Sequence, residues 1–201
     1  MKLIVITNPT PVANEASVIN DLFSAGLKYM HIRKPEGSEK EVINLLLGIS
    51  PHYYDRIALH QFHHIAKEFK ISRLHFGEEA RELSNVKELK NLVDQGYTLT
   101  TSIHSVQRLN SLPDFLQYAF FGPVYDSISK KGYEGLINNG FLLPKCPVPI
   151  IALGGIRAEK IQELAQYHFK GIGVLGAIWE HPANAVQTFT DLKEASLKVL
   201  V

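Results

Sequence analysis

Apolar residues along the chain fall into two alternating patterns. Short, nearly continuous runs of β-branched and aliphatic residues occur at Leu3–Thr7, Lys28–Arg33, Arg56–His60, Arg73–Phe76, Tyr97–Ser102, Tyr118–Phe121, Val148–Leu153 and Gly171–Leu175. Segments such as LIVIT and VPIIAL are apolar at almost every position, which is the pattern of strands covered on both faces. Between them lie stretches with helical spacing. Residues 12–25 place Val12, Ala16, Ile19, Leu22 and Phe23 on one stripe, and Gly26 ends the helix. Residues 38–49 open with Ser38 and Glu41 in capping-box spacing, then run Val42, Leu45, Leu46, Ile49. Residues 158–167 and 182–199 read similarly, while 61–70 and 105–111 are short.

Strict strand–helix alternation predicts parallel strands joined by right-handed crossovers. Eight strands and about eight helices predict an α/β fold, a single compact (β/α)8 TIM barrel over residues 1–201, although such barrels usually need ~250 residues. A doubly wound open sheet is the alternative arrangement of the same elements. No linker or low-complexity segment divides the chain.

Composition narrows the function. Lys plus Arg number 21 and Asp plus Glu 20, a net charge of +1. Such a balance offers no global field for nucleic acid or an anionic membrane, so an anionic ligand has to be held by local groups. One cysteine, Cys146, excludes a disulfide framework and Cys-based metal motifs. No apolar run approaches the ~20 residues of a spanning helix. The opening MKLIVITNPT reads as a first strand rather than a cleavable leader, so the expected location is cytoplasmic.

In a barrel the chemistry sits just after the C-terminal ends of the strands. Strand 7 ends in Gly154-Gly155 and strand 8 in Gly176-Ala177, each followed by a helical pattern. Glycines there let backbone N–H groups approach an anion, and two successive units of this kind favour a phosphate site over simple tight turns. The loop after strand 6, residues 122–135, carries Ser127, Ser129, Lys130 and Lys131, which could cradle a phosphate; composition alone favours an ordinary solvated turn. Arg33 and Lys34 follow strand 2, with His31 and Arg33 on one face; a fork onto an anion and a rim salt bridge are equally compatible with that segment. Ser102 and His104 follow strand 5, where a histidine suits general acid–base work or simply a loop. His60, His63 and His64 form a further cluster, but no acidic residue accompanies them, and solvated helix-start histidines are the plainer reading.

The order of exits — HIR, TSIH, FFGPVYDSISKKGYEG, PIIALGGI, GIGVLGAI — resembles the thiamin phosphate synthase/thiazole tautomerase family over nearly the whole chain. The resemblance implies a (β/α)8 barrel and one of two activities. The synthase joins hydroxymethylpyrimidine diphosphate to thiazole phosphate, using Mg²⁺ held by an Asp after strand 3 and another after strand 4. Here those places read Leu59-His60-Gln61 and Gly77-Glu78-Glu79-Ala80, and Pro35 stands where a Lys is expected beyond Arg33. The tautomerase branch converts a thiazole carboxylate phosphate to its aromatic form and needs no cofactor. Its Ser-x-His-Ser motif matches Ser102-Ile103-His104-Ser105, and its strand 6 loop matches Lys130-Lys131-Gly132-Tyr133-Glu134-Gly135.

The resemblance therefore implies a metal-independent tautomerase. His104 would be the acid–base. Gly154, Gly155, Gly176 and Ala177 would hold phosphate. Arg33, Lys34, Ser102, Ser127, Ser129 and Lys130 would hold the rest of the substrate. A Mg²⁺-dependent synthase and a phosphate-binding barrel without chemistry are the alternatives. The implied partner is a small phosphorylated thiazole or pyrimidine, with a homodimer as the candidate assembly and no nucleic acid or membrane.

Overall fold

The computed structural model describes residues 1–125, 137 and 141–199. Eight parallel strands close into a barrel in sequence order: β1 (Lys2–Ile6), β2 (Tyr29–Ile32), β3 (Ile57–Leu59), β4 (Arg73–Phe76), β5 (Thr98–Ile103), β6 (Tyr118–Phe121), β7 (Ile150–Leu153) and β8 (Gly171–Val174), with β8 pairing back onto β1. The closed barrel, not the open sheet, is the architecture. Each observed strand overlaps its expected run, with ends displaced by at most two residues.

Helices α1 (Glu15–Ser24), α2 (Glu39–Gly48), α3 (Glu78–Leu83), α4 (Val86–Asp94), α5 (Ile161–Ala165), α6 (Gly176–Trp179) and α7 (Ala185–Lys198) lie outside the barrel. Ser38 and Glu41 form the expected capping box of α2. Among the described residues the ring is less regular than eight helices. After β3 and β5 the chain makes only 3-10 turns, His63–Lys67 and Val106–Ser111, because those segments are too short to repay helix nucleation. Residues 78–94 hold two helices that the apolar spacing does not mark; Asn85 and Glu88 cap α4 reciprocally.

Alternation along each strand divides the side chains into two sets. Val5, Met30, Ile32, Leu59, Leu74, Phe121 and Ile172 face the helices and pack with Ile19, Leu22, Leu46, Phe189 and Leu192. Ile4, Ile6, Tyr118, Phe120 and Ile151 form a second cluster inside the barrel, flanked by Leu153 and Leu175. Aromatic rings there take the space opposite β8, where a Cβ on Gly173 would stand 2.8 Å from the Phe120 ring. The side lined by β2 to β5 is polar: His31, His75 and Thr100 are buried where aliphatic residues usually fill such barrels. No helix among the described residues is long and apolar enough to cross a membrane.

Candidate functional site

A cavity of about 360 Å³ opens at the C-terminal ends of the strands. Its floor includes His60, His75 and Phe120, its walls Arg33, Ser102, His104 and Glu78, and its far side the glycine turns after β7 and β8. Gly154 and Gly155 have φ of 104° and 64°, a region that glycine enters without strain. A Cβ on Gly154 would lie 2.8 Å from Pro123, so the turn after β7 packs closely against the start of the loop after β6. Among the described residues, the N–H groups of Gly155, Ile156, Gly176 and Ala177 have no hydrogen-bond partner. Four unpaired donors beside one cavity are what an anion requires.

Opposite these donors stands Arg33. Thr7 fixes its backbone: the Arg33 N–H donates to Thr7 Oγ1 at 2.8 Å, and the Thr7 hydroxyl donates back to the Arg33 carbonyl at 3.1 Å. The guanidinium is half-buried, has no partner among the described residues, and burial disfavours its charge. An anion in the cavity would compensate it.

His104 lies at the rim with 63% of its side chain exposed. Its Nδ1 is 2.6 Å from a Glu78 carboxylate oxygen, and its backbone N–H donates to the same atom at 3.1 Å. Glu78 opens α3 and is 15% exposed; its second carboxylate oxygen is buried without a hydrogen-bond partner, with Arg108 Nη1 at 3.7 Å. The carboxylate therefore orients the ring and leaves Nε2 unpaired among the described residues. Ser102 Oγ lies 3.0 Å from His75 Nε2.

The structure thus brings Arg33, Ser102, His104, Gly154, Gly155, Gly176 and Ala177 to one cavity. It does not bring Lys34 there. The Lys34 ammonium is buried in a different place, 2.6 and 2.8 Å from the two carboxylate oxygens of Glu15 and 2.7 Å from the Asn8 carbonyl. Burial raises the Glu15 pKa, and the Lys34 ammonium pulls the other way. Lys34 is thus a structural ion-pair residue that staples the β1 exit to α1. Ser127, Ser129 and Lys130 lie outside the described residues.

The histidines depart most from expectation. His64 is an exposed residue, 2.8 Å from Glu39. His63 is not solvated; its Nε2 sits 3.0 and 3.1 Å from the carbonyls of Leu59 and His75. His60 turns into the barrel and meets His31 and His75. His31 Nδ1 lies 2.9 Å from His60 Nε2, and His31 Nε2 lies 2.6 Å from the Tyr118 hydroxyl. His75 Nδ1 is 2.9 Å from Thr100 Oγ1. Burial lowers the His31 pKa to about 3, and burial plus the neighbouring imidazoles hold His60 and His75 well below the ordinary range. All three are neutral imidazoles. Period-two alternation places His31 and Arg33 together, but only barrel closure adds His60 and His75.

The sequence model of the TMP-TENI family, described as thiamine monophosphate synthase, matches residues 3–178. The chain belongs to this family. A Streptococcus pneumoniae protein named thiamine-phosphate synthase 1 is 26% identical over 136 residues, 65% of this chain and 62% of that protein. A Prochlorococcus marinus thiamine-phosphate synthase is 23% identical over 191 residues, 91% of this chain and 53% of that protein. The chain thus spans roughly half to two thirds of the length of these curated relatives. The crystal structure of a thiamine phosphate pyrophosphorylase from Bacteroides thetaiotaomicron superposes with a TM-score of 0.74 at 28% identity, covering 98% of each chain. A Pyrococcus furiosus structure of the same description, at 18% identity and TM-score 0.73, matches in fold.

The family's synthase pattern carries a Mg²⁺ site, and the residues at the corresponding places do not fit one. His60 offers nitrogen, and the Gln61 side-chain oxygen accepts the Lys34 N–H at 3.2 Å. Glu78 is engaged by His104, Glu79 is exposed, and Ala80 has no ligand atom. Mg²⁺ requires oxygen ligands in near-octahedral array, and the described residues supply no pair of carboxylates at the cavity.

Proposed function

We propose that this chain is an enzyme of thiamin biosynthesis that acts on a phosphorylated thiazole, and that it is a tautomerase working without a metal. The observation that carries this reading is the His104–Glu78 pair at the cavity rim. In the proposed step the thiazole phosphate group sits on the N–H groups of Gly155, Gly176 and Ala177, which have no partner among the described residues. Arg33 forks onto the ring carboxylate. His104 takes a proton from the non-aromatic thiazole ring and returns one where it restores the aromatic system, so no bond to another group forms or breaks. Glu78 stabilises the imidazolium formed in between. A positioned acid–base of this kind contributes about 10²–10⁴ in rate.

The second reading, thiamin phosphate synthase, is favoured by the names of the relatives. The missing oxygen ligands weigh against it. The two part in one experiment. Purified protein is assayed with the thiazole carboxylate phosphate tautomer in the presence of chelator, and separately with thiazole phosphate, pyrimidine diphosphate and Mg²⁺. Chelator-insensitive isomerisation is the expected result. Mg²⁺-dependent release of pyrophosphate without isomerisation would replace this reading with the synthase. Binding of the phosphate ligands with neither turnover would leave a barrel that binds without chemistry.

A further inference from the structure

The barrel interior holds three imidazoles that the proposed proton transfer does not use. His31 on β2, His60 just past β3 and His75 on β4 each place one ring nitrogen within 4.8 Å of the others. We propose that these three side chains form a binding site for a divalent transition-metal ion of the zinc class, with its fourth position open to the cavity. The site opens into the same cavity as the proposed proton transfer but supplies no group to it, so the ion is a separate occupant whose binding is read without any turnover assay.

The donor set selects the ion. Three imidazole nitrogens without a carboxylate suit Zn²⁺ or Co²⁺ and repel Mg²⁺ and Ca²⁺, which require oxygen. Ligating histidines present one nitrogen to the metal while a hydrogen-bond partner fixes the other. The two fully enclosed rings have that second partner: Tyr118 Oη on His31 Nε2 and Thr100 Oγ1 on His75 Nδ1. His31 Nδ1, His75 Nε2 and His60 Nε2 are then left for the ion. The rings are already neutral, as ligands must be.

Metal–nitrogen bonds of about 2.0–2.1 Å in a tetrahedron set the nitrogens ~3.3 Å apart. The His31–His60 contact of 2.9 Å therefore opens by a few tenths of an ångström, and its shared proton leaves. His60, stacked on His75 at 3.9 Å and 19°, has to turn out of that stack. It is the ring free to do so, being half-buried on the loop after β3, with Nδ1 unpaired among the described residues. His75 exchanges its Ser102 contact for the ion, which leaves the serine hydroxyl beside the open position. His60 and His75 both line the cavity, so an entry path exists. Among the described residues the one carboxylate lining the cavity, Glu78, is engaged by His104, and Arg33 adds positive charge, so the fourth ligand is an anion.

The test uses chelator-stripped full chain titrated with Co²⁺ and Zn²⁺ in a non-coordinating buffer with chloride as the available anion. One Co²⁺ per chain with the visible bands of a four-coordinate, nitrogen-bound ion is expected, and Zn²⁺ raises the thermal midpoint while Mg²⁺ leaves it unchanged. His64→Ala, which removes the exposed alternative, retains both signals. His60→Ala loses both, and His60→Gln serves the same purpose if the alanine variant does not fold. Absence of the cobalt bands in the wild type, or their persistence in the His60 variant, overturns the proposal.

Discussion

Lowering the pH from 7.5 to 5.5 should destabilise this barrel far more than ordinary carboxylate titration would. His31 and His75 are 0% and 1% exposed and stay neutral in the folded state, while in the unfolded chain each titrates near 6.5. A histidine whose folded pKa is depressed gives its full stability above the unfolded value. That stability is lost as the pH falls from 6.5 toward the folded value, about 3 for His31. One unit below 6.5, each such ring costs about 1.4 kcal/mol. Two rings give about 3 kcal/mol, and half-buried His60 adds a smaller share. Glu15 opposes this, because its raised pKa relieves a penalty as the pH falls. Against a total stability of roughly 5–15 kcal/mol, the loss is large. Urea unfolding at both pH values, with chelator present to exclude metal, measures it. Replacing one ring by His75→Asn lowers overall stability but should remove about 1.4 kcal/mol of the pH dependence. Equal stability of the wild type at pH 7.5 and 5.5, or an unchanged pH dependence in His75→Asn, would refute the reasoning.

Other outcomes follow from the cavity. His104→Asn should reduce tautomer turnover by about 10²–10⁴ while binding of the aromatic product changes little, since other groups hold its anions; near-normal turnover in the folded variant would remove the mechanism. Glu78→Gln should lower kcat by more than ~10-fold with KM nearly constant, because the carboxylate acts through the imidazole; an effect confined to KM would make it a binding group instead. Gly176→Asp sets a carboxylate at the first position of α6 and, in a variant whose fold is confirmed by circular dichroism, should weaken phosphate-ligand affinity by ~100-fold or more; wild-type affinity in titration calorimetry would place the anion site elsewhere.

The sequence alone determined the layers of this protein. Doubly buried strands declare themselves by continuous apolar runs, and strand exits declare themselves by where those runs stop. Arg33, His104, Gly154 and Gly176 were legible as candidates for that reason: each stands at or just past such a stop. Capping chemistry marked α2 and would have marked α4 through Asn85 and Glu88. Direction and partnership around the barrel were not legible. Lys34 follows Arg33 by one residue, so pleat alternation turns it to the other side, where Glu15 of α1 captures it. Glu78 and His104 are 26 residues apart, and only the β4–β5 pairing puts the carboxylate beside the imidazole. His31, His60 and His75 sit on three separate segments and look like unrelated residues in one dimension. They meet because closure of the sheet turns one face of every strand toward a common axis, and no local pattern encodes which side chains that axis gathers.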